Sequence, residues 1–179
     1  NIIFLTMLER ENSIKDYPKI IMEARELKVG IILFMPHGKA MLGQQQYINI
    51  WVRNTDPDKD IYDFSRSHLN SNLALLISYK LKLNWQAKVR LIKIVSPEDD
   101  IKKENESLKE FINMSRLPIN EKIVKKGNFF TELENAPEAD LNIFGISPTL
   151  NMEEHINIAR KVNSSCMFIM DSGQENIFA

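Results

Sequence analysis

The sequence predicts an α/β fold, a doubly wound and mainly parallel sheet, on three observations. First, Tyr47–Val52 (YINIWV) and Val89–Val95 are short runs rich in β-branched and aromatic residues. Between them Leu69, Leu73, Leu76, Ile77 and Leu81 recur at helical spacing. Strand, crossover helix, strand forces the two strands parallel. Second, three further apolar or β-rich runs, 121–125, 140–147 and 166–170, alternate with helical patterns. The strands counted from Tyr47 onward then take the order 3-2-1-4-5, with Tyr47–Val52 in the middle. Third, the chain opens with another strand-helix-strand pattern before residue 39.

Taken in order, Asn1–Leu8 reads as a buried strand. Ser13 is the expected N-cap of a helix whose apolar face is Ile14, Tyr17, Ile20, Ile21, Ala24 and Leu27. Pro18 falls in its first turns, where a missing N–H is tolerated. Val29–Met35 is the next strand, stopped by Pro36-His37-Gly38, and a polar connector follows at 39–46. After Val52 comes a long loop, Arg53–Ser67, with Asp56, Asp58 and Asp60. Ser96-Pro97-Glu98 reads as N-cap, N1 proline and acidic first turn of a helix burying Ile101, Leu108, Phe111 and Ile112. Glu121–Lys125 has lysines in a short polar strand, the composition of a protected sheet edge. A short helix is expected in Asn128–Asn135, an inner strand at Asp140–Ser147, and a helix capped by Asn151 with Met152, Ile156, Ala159 and Val162 inward. Cys166–Met170 is the last strand and falls toward the other edge of the sheet.

The first and last segments read as copies: NIIFLTM resembles LNIFGIS, and IIMEARELKVGIILFMPHG resembles INIARKVNSSCMFIMDSG, with a shared Ala-Arg before the second strand. Residues 1–38 are therefore read as the final strand-helix-strand of a first α/β lobe, 39–46 as a connector and 47–179 as a complete second lobe, in a chain cut from something longer; a single seven-stranded sheet is the alternative.

Composition narrows the function. With 179 residues and 44% apolar content the chain can bury a core. A net charge of −1 argues against a nucleic-acid partner. Lysines and arginines between Lys80 and Lys126, Lys93 among them, are interleaved with acids and read as a solvated surface, with anionic lipid headgroups as the sharper alternative. The single cysteine, Cys166, lies in a buried-strand pattern and reads as an inert thiol in a reducing compartment. No apolar run is long enough to cross a bilayer.

No catalytic pattern, metal spacing or cofactor motif emerges. There is no GxGxxG, GxxxxGK[ST] or GxSxG. His37, His68 and His155 are scattered, and Glu153-Glu154-His155 reads as helix surface. Asp56, Asp58 and Asp60 alternate like calcium ligands but lack the glycine and terminal glutamate of an EF-hand loop. The topology resembles that of universal stress proteins, a Rossmann-like fold with a glycine-rich phosphate loop after its fourth strand. Here only Gly145 stands there, and Pro148 removes an amide donor. The candidate ligand crevice is Arg53, Asn54, Asp56, Gly145, Ser147 and Thr149.

The central block carries a more specific likeness. Ile48, Asn49, Ile50 and Trp51, then Leu73, Leu75, Leu76, Tyr79, Leu81, Trp85, Lys88 and Arg90 resemble the I-D-[IV]-W strand, the Leu-rich L-x-LL-x-x-Y-x-L helix and the K-x-R strand of the cytosolic C-terminal domain of the cation-chloride cotransporters, and the flanking strand-helix-strand segments are similar too. The chain departs from the family in its long 53–67 loop, where a short Asp-Asp-Gly-Gly turn is usual, and in lacking the insertions of animal members, which suggests a prokaryotic-type relative. The resemblance implies a non-enzymatic regulatory domain without cofactors. It would dimerise and dock on the transmembrane domain of a transporter moving Na⁺, K⁺ and Cl⁻, at the cytoplasmic face of the membrane. A universal-stress-protein-like nucleotide sensor is the alternative.

Overall fold

The computed structural model describes residues 1–7, 14–52, 71–146 and 151–177. They form one seven-stranded sheet with β1 (Ile2–Thr6), β2 (Gly30–Met35), β3 (Tyr47–Val52), β4 (Lys88–Val95), β5 (Glu121–Lys126), β6 (Leu141–Gly145) and β7 (Ser165–Met170) in the order β1-β2-β7-β6-β3-β4-β5. From Tyr47 onward this is the 3-2-1-4-5 arrangement. β3 runs parallel to both neighbours, with Ile50 opposite Leu91 on β4 and Ile143 on β6.

Helices α1 (Tyr17–Glu26), α2 (Ser71–Trp85), α3 (Ile101–Ser115), α4 (Phe129–Glu134) and α5 (Met152–Val162) cover two faces. On one face Ile21 and Ala24 of α1, Leu133 of α4, and Met152 and Ile156 of α5 pack on Leu33, Trp51, Phe144 and Phe168. On the other, Leu73 and Leu75 of α2 and Leu108 and Phe111 of α3 pack on Ile48, Ile50, Leu91, Leu141 and Ile169. Alternation along each strand feeds both cores, as a sheet wound on two sides requires.

The first two strands belong to the same sheet, joined through an antiparallel ladder between β2 and β7. Cys166–Met170 is therefore an inner strand, not one toward the edge, and every residue of β7 is buried. Aligning Gly38 with Gly173 matches Leu33 with Phe168, Ile31 with Cys166, and Met35 with Met170. The ladder pairs Leu33 with Phe168, Ile31 with Met170, and Met35 with Cys166, so exchanging the two similar segments maps it onto itself. The helix ends agree: Lys28 after α1 and Asn163 after α5 occupy matching positions, both left-handed at φ 52° and 50°.

Several expectations are corrected. Asn1–Leu8 is not a buried strand: among the described residues β1 is an outer strand with none beyond it, and Ile2, Ile3 and Phe4 are exposed. Leu27 is exposed because it caps α1 instead of belonging to its inward face. The helix expected from Ser96 begins at Ile101. Its N-cap is Asp100, which accepts from the amides of Lys102 and Lys103, while Ser96 and Asp99 close a turn on each other, so Ile101 sits exposed in the first turn. His155 is buried: its Nδ1 lies 2.6 Å from the Asn151 carbonyl and its ring meets Phe168 edge-on. Ser13, His68, Leu69 and the 53–67 loop lie outside the described residues.

Candidate functional site

β3 and β6 are adjacent and parallel, so the topology sets their carboxyl ends, Val52 and Gly145, side by side. Of the six crevice residues only Gly145 is described, as the half-buried end of β6; Arg53, Asn54, Asp56, Ser147 and Thr149 lie outside the described residues. Among the described residues no group of histidine, cysteine and acidic side chains has the geometry to hold a metal. Burial pushes the Cys166 thiol far above its usual range, so it is no nucleophile.

The structure ties the segment between β2 and β3 to the starts of β6 and β7. Asp140, just before β6, accepts from the amides of Gln44 at 2.8 Å, Gln46 at 2.7 Å and Tyr47 at 2.9 Å. The Ser165 hydroxyl, at the start of β7, donates to the Met41 carbonyl and accepts from the His37 amide at 2.9 Å. His37 Nδ1 in turn accepts from the Ala40 amide at 3.0 Å. The connector is thereby held at both ends. Met41, Gly43 and Gln45 alternate through it in left-handed conformation. Gly43 is required twice over: its φ is +54°, and a Cβ there would lie 2.1 Å from Asp140 Oδ1. Gly43→Ala is expected to lower the unfolding free energy by about 2–4 kcal/mol in a urea titration, combining left-handed strain and steric overlap.

A second polar chain crosses the buried sheet. Trp51 Nε1 donates to Asn142 Oδ1 at 2.7 Å, and Asn142 Nδ2 donates to Ser164 Oγ at 2.7 Å. Trp51 stacks on Phe144 with centroids 5.6 Å apart, a packing role, and Trp85 packs half-buried in the other core. Lys93, expected on a solvated surface, is buried. It meets Glu104 of α3 at 2.6 Å, within ion-pair distance though without the alignment of a hydrogen bond. A cavity of about 390 Å³ opens at the carboxyl ends of β1 and β2, lined among others by Met7, Met35, His37 and Arg160.

The turn after β7 ties the chain to α2. Asp171 accepts from the amides of Asn72 and Leu73, each at 3.1 Å, at the helix N-terminus. Glu175 accepts from the amides of Ser172 and Gly173. Burial pushes the Asp171 carboxyl up to about 6, against the pull of the α2 amides. Glu175 is also raised by burial, but its backbone donors outweigh that and bring it below the usual value. An acid raised on folding favours the folded state below its unfolded value, and this stabilisation disappears as pH rises through about 6. Asp171 should therefore add about 1 kcal/mol between pH 7 and pH 5, and urea titrations of Asp171→Asn should lack that gain. Glu175 acts in the opposite sense and only at lower pH.

The fold and site define a class: a doubly wound α/β domain whose special features are a bare apolar edge and a pinned seam. The chain belongs to the family of prokaryotic cation-chloride cotransporter C-terminal domains, whose model for the second part of that domain matches residues 43–178. It is similar to a crystal structure of the cytoplasmic domain of a prokaryotic cation chloride cotransporter, with TM-score 0.85 and 31% identity, covering 99% of this chain and 66% of that one. The chain thus spans just under two thirds of that solved protein. A universal stress protein from Archaeoglobus fulgidus DSM 4304 shares the fold, with TM-score 0.56 and 15% identity over 94% of this chain and 60% of that one. No curated protein sequence matches. No helix among the described residues is long and apolar enough to cross a membrane.

Proposed function

We propose that the chain is a non-enzymatic regulatory and dimerisation domain of a membrane transporter that moves Na⁺, K⁺ and Cl⁻. It works at the cytoplasmic face of the membrane, docked on the transporter's transmembrane part. The observation that carries this reading is the family match over 43–178, together with near-complete coverage of this chain by the solved cytoplasmic domain. Residues 1–38 are the end of a first lobe, 39–46 the connector and 47–179 the second lobe. The self-matching ladder between β2 and β7 supports that division, as does a family match that opens at Gly43 within the connector. The role is mechanical: a rigid plate whose packing on a partner biases transport. Lysines on the β5 edge, Lys122, Lys125 and Lys126, are the groups that would meet anionic headgroups.

Sedimentation equilibrium tests the dimer, which predicts twice the chain mass at micromolar concentration; a monomer throughout would refute it. Ion flux through the intact transporter tests regulation: deleting residues 43–178 should change its rate, and an unaltered rate would refute that role. A nucleotide sensor shares the fold. Thermal unfolding with millimolar ATP or AMP separates the readings, since a sensor would shift its midpoint upward.

A further inference from the structure

The cavity of about 390 Å³ at the carboxyl ends of β1 and β2 has a counterpart that the chain fills with its own carboxylate. The alignment that sets Gly38 on Gly173 also sets His37 on Ser172, Arg160 on Arg25 and Ala40 on Glu175. Met7 matches Ile146, since their amides donate to the matching carbonyls of Phe34 and Ile169. In the turn after β7, Glu175 accepts from the amides of Ser172 at 2.9 Å and Gly173 at 3.1 Å. In the turn after β2 the residue in that place is Ala40, which has no carboxylate to offer. The His37 amide goes instead to Ser165 Oγ, and the Gly38 amide finds no acceptor among the described residues.

The walls carry donors without an acid to meet them. Among the described residues lining the cavity none is acidic, whereas His37, Arg160, Asn163 and Ser164 can all donate. The Ala40 amide bonds His37 Nδ1, which leaves the ring proton on Nε2, where no described residue accepts it. Ser164 Oγ accepts from Asn142 Nδ2, so its own proton is left for a ligand. Arg160 carries several N–H groups on one guanidinium, more than a single protein contact uses. It also offsets the negative carboxyl end of α5, where it stands. Met7, Met35 and Pro36 add apolar surface. Sites for small molecules span roughly 300–1,000 Å³, and this one lies near the lower bound.

We propose that this cavity binds a small organic anion. Its carboxylate or phosphoryl end meets Arg160, His37, Ser164 and the Gly38 amide, and a short apolar body lies against Met7 and Met35. The free anion plays the part that Glu175 plays in the matching turn. Residues 35–38 end β2 and residues 160–164 lead into β7, so the ligand joins the two sides of the antiparallel ladder. It also braces the connector, because Ala40 and Met41 hang on His37 and Ser165. The site needs neither a dimer nor a transmembrane partner, so it stands or falls separately from the transporter reading.

The test titrates the chain with sodium butyrate and, separately, with inorganic phosphate at constant ionic strength, following backbone amides by NMR. The amides of His37, Gly38, Asn163 and Ser164 should shift together and saturate at millimolar anion, on the order of 1–10 mM. Saturation by butyrate alone assigns the site to carboxylates, and by phosphate alone to phosphoryl groups. Arg160→Gln should weaken binding roughly tenfold, whereas Arg25→Gln, at the matching position beside the filled turn, should leave it unchanged. Ala40→Glu should abolish binding by supplying the carboxylate from within. The proposal is overturned if these amides stay still up to about 100 mM of either anion. Equal shifts with uncharged butyramide would overturn it too, as would binding that survives both Arg160→Gln and Ala40→Glu at full strength.

Discussion

Glu104→Ala is expected to destabilise the domain by about 3–5 kcal/mol, because it strands the Lys93 ammonium in a dry site. Lys93 lies on the inner strand β4, on the face covered by α3, and its own β-ladder neighbours are Val52 and Val124. The residue is 3% exposed, so little solvent is at hand to replace the carboxylate. The matching double replacement, Lys93→Met with Glu104→Leu, should return most of the loss, because the Coulombic gain of a buried pair barely exceeds the cost of drying two charges. Urea titrations of the two single variants and the double variant check this. Additive losses would show that the pair is wetter than the geometry indicates.

Phe168→Ala is the second large effect, again about 3–5 kcal/mol by loss of a fully buried aromatic ring. Phe168 stands at the centre of the β2–β7 ladder opposite Leu33, stacks on Phe144 with centroids 5.4 Å apart, and takes the His155 ring edge-on at 4.7 Å. The cavity would open on the seam itself. Hydrogen exchange should therefore show β1, β2 and α1 opening at lower free energy than β3 and β4, where wild-type protein opens the two regions more nearly together. Equal loosening everywhere would contradict a seam role.

The sequence made the central architecture legible because its signals there are local and consistent. Tyr47–Val52 and Lys88–Val95 have β-branched composition, and the leucines between them keep helical spacing, so the parallel pair followed from connection rules alone. It was silent on neighbours that only tertiary pairing supplies. IIFLT at an open edge has the same composition as a strand at the centre, so β1 read as buried. β7 read as lying toward a rim because nothing local announces that β2 joins it from the other side. His155 shows the same blindness at the scale of one side chain: two glutamates before it suggest surface, yet Met152, His155 and Ile156 share the inward face of α5. Ser96 reads as the cap by residue type, whereas the cap is Asp100, whose extended backbone is a matter of φ and ψ that composition does not encode. Within the candidate crevice only Gly145 could be placed, and Asp140, the residue that pins the connector, carried no motif to mark it.

Because β2 and β7 run in opposite directions, the plate has no common top. Strand ends that in the larger unit, β3 to β7, open upward belong, in β1 and β2, to the underside. Such a sheet, set end-on against a bilayer or another protein, would offer its host the carboxyl ends of one set of strands and the amino ends of the other. A surface on the opposite side would meet the reverse combination, with the seven-stranded sheet lying between the two.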